Sequence, residues 1–555
     1  TLIKNADATF TLTHKDGSKY TFNADRKIAS ILDRNNNTVT FAYTGGVLTS
    51  ITDPAGRSAT LSHDGDNRIT AITDPAGNSH TLTYSGGTLA GVTAADGGTW
   101  IYTYDDKAFM TSKVDPLGVV TTYAYDDNHR VTSASDAAGN TRTIGYPAGT
   151  DTVKTTTFTE KDGGVWQYTY DTAQGTLTSK TDPQGGTTSY TYDANGNRLS
   201  STGPDGATTS YSYDANGNMS STTNALGQTT AYTYDDFGQV LTVTDPQGNT
   251  TSYSYDATGN LIKTIDPSGA VTSYEYDAKG NMIKLTDPSG ASYRFGYDAA
   301  GNMASSTDPS GAVTTFSYDA TGNMVTMTDA GGAVTRFVYD ADNRLIKTID
   351  PLGNATSYGY DLLGNRISAT DANGNSTVYA YDSLGRMISA TDALGAVTAY
   401  SYTAGGCPSC GGGVDKLSAL TDANGHFTTY QYDKLGQLLK ETDPLGNSTS
   451  YGYDAKGNLI TRTDANGTTI GYGYDSLGRM VTKSYPDGSG ETYSYDAKGN
   501  ILTASNKNIS YSYSYDASGR MLSATDSNGR TVSYDYDLAG RKTKLTYPDG
   551  SAAGY

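Results

Sequence analysis

The dipeptide Tyr-Asp recurs every 21 residues through the middle of the chain, and this period constrains the fold more than any other feature. It runs from Tyr192 to Tyr381 without a change of step, and again from Tyr432 to Tyr495. Upstream the phrase decays but persists, as at His63-Asp64. About 25 units can be traced, so the sequence predicts one long repeat array instead of several independent domains.

Each unit carries two turn signals. One is Asp-Pro-x-Gly, as at Asp266, Pro267 and Gly269, and the other is Asp-x-x-Gly, as at Asp277 and Gly280. Asp first, Pro second and Gly fourth are the preferences of a type I turn that is followed by a left-handed residue. Such turns close three-residue hairpin loops with a bulge, so we expect positive φ at both glycines.

Two short strands lie between the turns, for example Ala270 to Asp277 and Asn281 to Asp287. Side chains alternate along a strand, so Tyr274 and Tyr276 share a face, which we expect to be the buried one. If both turns were identical, the tyrosine face would flip in each successive unit. The residue pattern is the same in every unit, so the tyrosine face cannot alternate. We therefore predict one irregularity per unit, at a position that the sequence does not give.

The fold class predicted from this pattern is all-β: a long antiparallel β-hairpin array wound as a spiral β-sheet shell, tube or fibre. A twisted sheet of about 50 strands cannot stay flat, because open sheets beyond about 10 strands curl or split. A parallel β-solenoid with two corners per rung is the alternative. The residues expected to define the repeat are Tyr255, Asp256, Gly259, Asp266, Pro267, Gly269, Tyr274, Tyr276, Asp277 and Gly280.

The regularity of the repeat divides the chain into four segments of one continuous array. Residues 1–180 are divergent repeats with irregular spacing, and 181–402 are regular 21-residue repeats. Residues 403–416 form a glycine-rich insertion that contains both cysteines, and 417–555 are regular again.

The insertion holds Cys407 and Cys410, the only cysteines in the chain. A Cys-x-x-Cys pair supplies half of a tetrahedral zinc site, and no second half is apparent. Covalent haem would need a histidine directly after Cys410, where Gly411 stands. A disulfide within the loop is the plainest interpretation. Zinc shared between chains, free thiols and an intermolecular bridge are the alternatives.

Composition disfavours several classes of function. The formal net charge is −19, and nucleic-acid binding needs clustered Lys and Arg. No apolar run is long enough for a transmembrane helix. The five histidines do not pair at a catalytic or metal-binding spacing, and the many aspartates are explained as turn residues. We therefore expect no catalytic residue, no metal and no cofactor.

The Tyr-Asp-x-x-Gly-Asn phrases, such as 192–197, and the Asp-Pro-x-Gly-Asn phrases, such as 245–249, resemble the RHS/YD-repeat family. The resemblance covers nearly the whole chain. It implies a bacterial secreted or surface protein whose repeats form a β-sheet shell, which in polymorphic and insecticidal-complex toxins encapsulates a C-terminal toxic polypeptide. The self-cleaving core segment of such toxins has no counterpart here, so we expect the shell wall without its cargo.

Three functions follow as hypotheses. The first is a non-enzymatic, secreted or cell-surface structural protein that forms a shell wall or an extracellular filament. The second is the encapsulating cocoon of an RHS-type toxin. The third is an adhesin that binds glycans or a partner surface. The expected partners are further copies of the chain, other protein subunits or an encapsulated polypeptide.

Overall fold

The computed structural model describes residues 1–149, 151–403 and 415–555. Within these ranges the secondary structure consists of 53 β-strands and no helix, and the strands belong to one antiparallel sheet. The predicted all-β hairpin array is confirmed. The parallel-solenoid alternative is wrong, because strands that follow each other in the chain pair antiparallel through tight turns.

The strands are short, mostly of five or six residues. In chain order, β1 to β18 span Leu2–Lys4, Phe10–Thr13, Lys19–Phe22, Ile28–Leu32, Thr38–Thr44, Val47–Thr52, Ser58–His63, Ile69–Thr73, Ser79–Ser85, Thr88–Thr93, Thr99–Tyr104, Met110–Val114, Val120–Tyr125, Val131–Ser135, Thr141–Gly145, Val153–Thr159, Val165–Asp171 and Thr176–Thr181. The regular repeats then supply β19 to β39, which span Thr187–Tyr192, Arg198–Thr202, Thr208–Tyr213, Met219–Thr223, Thr229–Tyr234, Val240–Thr244, Thr250–Tyr255, Leu261–Ile265, Val271–Tyr276, Met282–Thr286, Ser292–Tyr297, Met303–Thr307, Val313–Tyr318, Met324–Thr328, Val334–Tyr339, Leu345–Ile349, Ala355–Tyr360, Arg366–Thr370, Ser376–Tyr381, Met387–Thr391 and Val397–Tyr402. After the insertion, β40 to β53 span Leu417–Thr421, Phe427–Tyr432, Leu438–Thr442, Ser448–Tyr453, Leu459–Thr463, Thr469–Tyr474, Met480–Ser484, Gly490–Tyr495, Ile501–Asn506, Ser510–Tyr515, Met521–Asp526, Thr531–Tyr536, Lys542–Thr546 and Ala552–Gly554.

Both kinds of turn have the same geometry. We call the turns that follow a Tyr-Asp tyrosine, such as 277–281, YD turns, and the alternating ones, such as 266–270, DP turns. In the YD turn the Gly280 amide donates to the Asp277 carbonyl at 3.0 Å, and Lys279 donates its amide to Asp277 Oδ1 at 2.9 Å. The DP turn repeats these bonds from Gly269 and Ser268 to Asp266. The two kinds of turn lie on opposite edges of the strip, because every strand reverses direction.

The predicted irregularity is a β-bulge next to each YD turn. In β27 and β28, Glu275 pairs with Lys284, but Tyr276 pairs with Met282, so Ile283 is the extra residue. The same shift recurs in the other regular YD hairpins, whereas the DP hairpins keep a continuous register. The bulge restores the tyrosine face in every unit, so the two turns can be identical.

The tyrosine face is the more buried of the two faces, as predicted, but its side chains are not fully buried. Tyr274 and Tyr276 are half-buried, and no described side chain is less than 2% exposed. The bulge places Met282 and Leu285 on the same face as the two rings. The tyrosines therefore pack across neighbouring strands and not beneath a second layer. Removing one of these rings should therefore lower the free energy of unfolding by less than removing an aromatic ring from a fully buried core.

The chain separates into two compact units, each built from stretches that are far apart in sequence. Unit 1 contains residues 1–139, 255–263 and 273–398. Unit 2 contains 140–254, 264–272 and 399–555. The insertion belongs to the range of unit 2. Its base is closed by the Thr403 amide, which donates to the Lys416 carbonyl at 2.8 Å, while Cys407 and Cys410 lie outside the described residues.

Candidate functional site

The edges of the strip carry the contacts that local hairpin formation does not explain. In unit 1, DP turns of the first stretch touch YD turns of the later stretch. Asn35 and Asn260 exchange side-chain hydrogen bonds at 3.2 and 3.0 Å across a separation of 225 residues. Asn37 donates its side-chain amide to the Lys279 carbonyl at 2.8 Å. Two distant parts of the strip are thus joined edge to edge.

Unit 2 repeats this arrangement with charged groups. Lys456 Nζ lies 2.7 Å from Asp205 Oδ2, and Lys498 Nζ lies 2.8 Å from Asp245 Oδ2. Ser518 donates its hydroxyl to Asp266 Oδ2 at 3.0 Å, across 252 residues. In each case the DP turn comes from the earlier stretch and the YD turn from the later one. We call these rows of turn-to-turn contacts the seam of each unit.

Lysine at the third position of a YD turn has a double role in the seam of unit 2. Lys456 Nζ pairs with Asp205 across the seam and also donates to the carbonyl of Ser476 in the next YD turn, at 2.6 Å. The ammonium group therefore links three turns. Partly exposed pairs of this kind contribute about 0.2–1 kcal/mol each, so the strength of the seam comes from their repetition along the edge.

The seam of unit 1 contains one crowded acidic contact. Arg344 pairs with Asp340 of its own turn at 2.7 Å and with Asp96 across the seam at 3.1 Å, and Asp342 lies beside them. Burial, and then the neighbouring Asp96 carboxylate, raises the pKa of Asp342. Asp74, His80 and Trp100 also line this cleft of roughly 400 Å³. Loss of the Asp342 proton therefore weakens this contact.

The tyrosine of each Tyr-Asp pair has a specific role: its hydroxyl binds a backbone carbonyl of the strand that precedes its own. The ladder between β28 and β29 covers only Lys284 to Thr286 and stops short of Met282. Tyr297 donates its hydroxyl to the Met282 carbonyl at 2.9 Å, and Tyr276 makes the equivalent bond to Leu261 at 2.8 Å. The same bond, across about 15 residues, is made by Tyr43, Tyr84, Tyr125, Tyr192, Tyr213, Tyr234, Tyr318, Tyr339, Tyr360, Tyr381, Tyr453, Tyr474, Tyr495, Tyr515 and Tyr536.

This bond predicts different effects for two neighbouring tyrosines. Replacing Tyr276 by phenylalanine removes one hydrogen bond and leaves the Leu261 carbonyl without its partner, so we expect a loss of about 1 kcal/mol in local stability. The hydroxyl of Tyr274 bonds to no other described residue, so Tyr274→Phe is the matched control and should change little. Hydrogen exchange at the amides around 261 and 276 measures both. Equal effects of the two substitutions would contradict this role of the hydroxyl.

The residues expected to define the repeat take recognisable places. Asp256, Asp266 and Asp277 each accept backbone amides at the start of a turn. The glycines Gly259, Gly269 and Gly280 have φ of +86°, +85° and +83°. Tyr255, Tyr274 and Tyr276 end or precede the end of a strand, and Pro267 is the second residue of its turn. These residues repeat along the array and are not gathered at one place.

Sequence reasoning missed the seam residues. Asn35, Asp96, Arg344, Lys456 and Lys498 are ordinary turn residues by their local pattern. The one signal was that lysine recurs at the third position of YD turns, at Lys279, Lys456 and Lys498. It gave no partner, because an aspartate begins most of the turns that the structure describes.

Chemistry beyond these contacts is sparse. Nowhere in the described ranges do three or more His, Cys, Asp or Glu side chains form a group able to hold a metal ion. The same ranges contain no helix that could span a bilayer. The seam contacts are suited to holding DP turns against YD turns within each unit.

Two family models match the chain. The model described as Teneurin YD-shell matches residues 5–165 and 270–409, which is more than half of the sequence. The model described as RHS Repeat matches nine segments that together span 172–271 and 413–552. No curated protein matches the chain.

Two solved structures share the fold. The crystal structure of TcdB2-TccC3-Cdc42 is 13% identical with a TM-score of 0.63, and the alignment covers 98% of this chain and 37% of that one. A structure of the Photorhabdus luminescens Tc holotoxin pore, with a mutation in TccC3, is 13% identical with a TM-score of 0.59 and coverages of 96% and 42%. The chain therefore spans less than half of either protein, and the likeness establishes the fold alone.

Proposed function

Because the chain belongs to the teneurin YD-shell family and also contains RHS repeats, we propose that it is a non-enzymatic wall that encloses a polypeptide. We further propose that it acts outside the cell or on the cell surface. The similar solved chains belong to assemblies named as a Tc holotoxin pore and as complexes of TcdB2 with TccC3. Both are consistent with a wall that has protein partners.

The observation that carries the proposal is the seam. Every strand inside the array already pairs with its chain neighbours, so only contacts between turns can join distant stretches of the strip. Here the turns of distant stretches cover each other within each unit, through Asn35 with Asn260 and Lys498 with Asp245. Such contacts keep a broad sheet closed along its edges without a second layer.

The tyrosine face of the sheet supports the same function. Along β27, Tyr274 and Tyr276 are half-buried, and Thr272 adds a hydroxyl to the same face. Rings and hydroxyls can lie beside many different chains, because they need no complementary partner charge. The tyrosine face thus suits contact with a cargo of variable sequence.

Protease protection of a tethered reporter tests enclosure. A short unstructured reporter peptide fused after Tyr555 should be cleaved far more slowly than the free peptide while the array is intact. Lys456→Glu with Lys498→Glu reverses two seam pairs and should restore rapid cleavage. Lys434→Glu is the matched control, because Lys434 is an exposed lysine in a YD turn and forms no ion pair in the described structure.

The proposal has clear contrary results. A reporter cleaved as fast as the free peptide would contradict enclosure. Protection that survives the double charge reversal would show that the seam does not close the wall. Retention of the native protein inside producing cells, in fractionation of cells and medium, would contradict the extracellular assignment.

A further inference from the structure

The two tryptophans of the chain lie in the same local sequence, Asp-Gly-Gly-x-Trp, at residues 96–100 and 162–166. Each takes the place that threonine has in most regular repeats, such as Thr272. Trp100 lines the cleft in the seam of unit 1 that also contains Arg344. Trp166 lines a cleft of roughly 360 Å³ in the seam of unit 2, which we call the Trp166 cleft. Tryptophan therefore occurs in this chain only where a seam forms a cleft.

The Trp166 cleft is formed by two stretches that are distant in sequence. Its lining includes Trp166, Lys180, Asp182, Thr188, Tyr190 and Gln437. Of these, Gln437 comes from a YD turn of the later stretch. That turn is held in place because Gln184 donates its side-chain amide to Asp433 Oδ2 at 2.8 Å. The cleft is therefore complete only when the seam is formed.

Polar groups without partners surround the half-buried ring of Trp166. The Lys180 ammonium lies 4.2 Å from the centroid of the ring, and no carboxylate of the described chain pairs with it. The hydroxyls of Thr188 and Tyr190 and the side-chain amide of Gln437 also bond to no other described residue. All of these groups line one cleft, so they are available to a ligand there.

A glycine leaves one carboxylate oxygen of the cleft accessible. In the DP turn 245–249, the Asn249 side chain donates to Asp245 Oδ2 at 3.0 Å. Gly186 stands at the equivalent position of the turn 182–186, so Asp182 Oδ2 receives no hydrogen bond from within its own turn. Asp182 Oδ1 still caps the Gln184 and Gly186 amides. A Cβ at position 186 would clash with this carboxylate.

We propose that the Trp166 cleft binds a sugar ring of a glycan. The faces of a pyranose ring carry C–H groups that pack on an aromatic ring, while its hydroxyls both donate and accept hydrogen bonds. Lys180 and Gln437 supply donors, and Asp182 Oδ2 supplies an acceptor. A cleft of this volume admits about one or two such rings. A small anion is a poorer occupant, because the Asp182 carboxylate lines the same cleft.

The cleft of Trp100 offers fewer accessible groups, because two of its carboxylates are already engaged. Asn78 donates to Asp74 Oδ2 at 2.9 Å, and Arg344 pairs with Asp96 at 3.1 Å. We therefore place the site at Trp166 alone. Sugar binding at this cleft does not depend on enclosure of a cargo, so each proposal can fail without the other.

The fluorescence of a single tryptophan tests the site in the whole chain. Trp100→Phe leaves Trp166 as the only tryptophan, and titration with saccharides selected on a glycan array should change its emission saturably. Gln437→Ala should weaken this binding about fivefold, because one hydrogen bond is lost. Gln239→Ala is the matched control, since Gln239 holds the same position in the YD turn 235–239 and lies outside the cleft. By calorimetry, Trp166→Ala should abolish binding, and circular dichroism checks that each variant keeps the β-fold.

Three results would overturn the proposal. The first is an array on which no saccharide binds the folded chain. The second is saccharide binding that is unchanged by Trp166→Ala and by Gln437→Ala. The third is an emission change caused by an unfolded polypeptide, such as reduced casein, and by no saccharide, which would assign the cleft to contact with a cargo.

Discussion

Replacing Gly280 by valine is expected to destabilise its hairpin by about 2 kcal/mol or more, as measured by native-state hydrogen exchange. Gly280 has a φ of +83°, and a left-handed conformation costs an ordinary residue about 1–2 kcal/mol, and more for a β-branched one. A Cβ at this position would also clash with Nδ2 of Asn35. The Asn35 side chain would have to break its hydrogen bonds with Asn260, so the substitution would destabilise both the turn and the seam.

The matched control is Gly269 in the preceding DP turn. Its φ is +85°, and a Cβ there would meet no atom within 4 Å, so Gly269→Val should show the backbone strain alone. A double-mutant cycle with Asn35→Ala separates the two terms. Asn35→Ala should recover about 1 kcal/mol of the Gly280 penalty and none of the Gly269 penalty. Equal behaviour of the two glycines would show that the Asn35 contact carries no free energy.

The turn glycines mark what the sequence could predict. Asp first and Gly fourth determine the local backbone, because the carboxylate caps the turn amides and only glycine takes positive φ without cost. Gly269 and Gly280 therefore have the expected conformation, and the strands between them follow from alternation. The strands are a little shorter than predicted, Val271–Tyr276 and Met282–Thr286, since Ala270 and Asn281 close the turns.

The bulge could be foreseen but not placed. Counting residues between identical turns required one irregularity per unit, and several positions would have satisfied that count. The structure places it at Ile283, opposite Glu275 and Tyr276. Similar bulge residues are exposed apolar side chains, as at Ile388 and Leu439, which are 38% and 37% exposed. A short apolar run that falls on both faces directly after a Tyr-Asp turn is the signal that would have located it.

The seam could not be predicted. Its pairs lie about twelve repeats apart, as Ser518 and Asp266 do across 252 residues, and every repeat offers nearly the same turn. A periodic sequence cannot tell which copy meets which, because that depends on the small twist accumulated at each strand. The degree of burial of the tyrosine face could not be predicted for a related reason. The alternation of side chains along the strand determines that Tyr274 and Tyr276 share a face, but not whether another layer covers that face.

Lowering the pH below about 4 is expected to unfold the array, with a steep fall in thermal stability measured by circular dichroism. Hydrogen bonds from the Asn197 side chain, and then from its backbone amide, hold the pKa of Asp193 below its ordinary value of 3.8. The aspartates of most other turns are shifted in the same direction. A lowered pKa in the folded state gives stability that is present above the unfolded pKa and is lost as the pH falls through the folded one. Small losses at many turns add up, because each repeat is stabilised through its neighbours. Asp342 has the opposite sign, since its raised pKa gives stability at low pH that is lost as the pH rises.

One turn of the chain supplies a natural control for this acid sensitivity. Asn224 begins the turn 224–228 in place of aspartate and accepts the Leu226 and Gln228 amides at 3.0 and 3.1 Å. An amide does not titrate, so hydrogen exchange within this turn should change less between pH 6 and about pH 3 than in the turn of Asp308, whose pKa is lowered first by Ser310. Asp308→Asn keeps the Oδ1 acceptor and should make its own turn as insensitive to acid as that of Asn224. If the Asp308 turn opens at low pH to the same extent with aspartate and with asparagine, ionisation of the turn aspartates is not what stabilises the array.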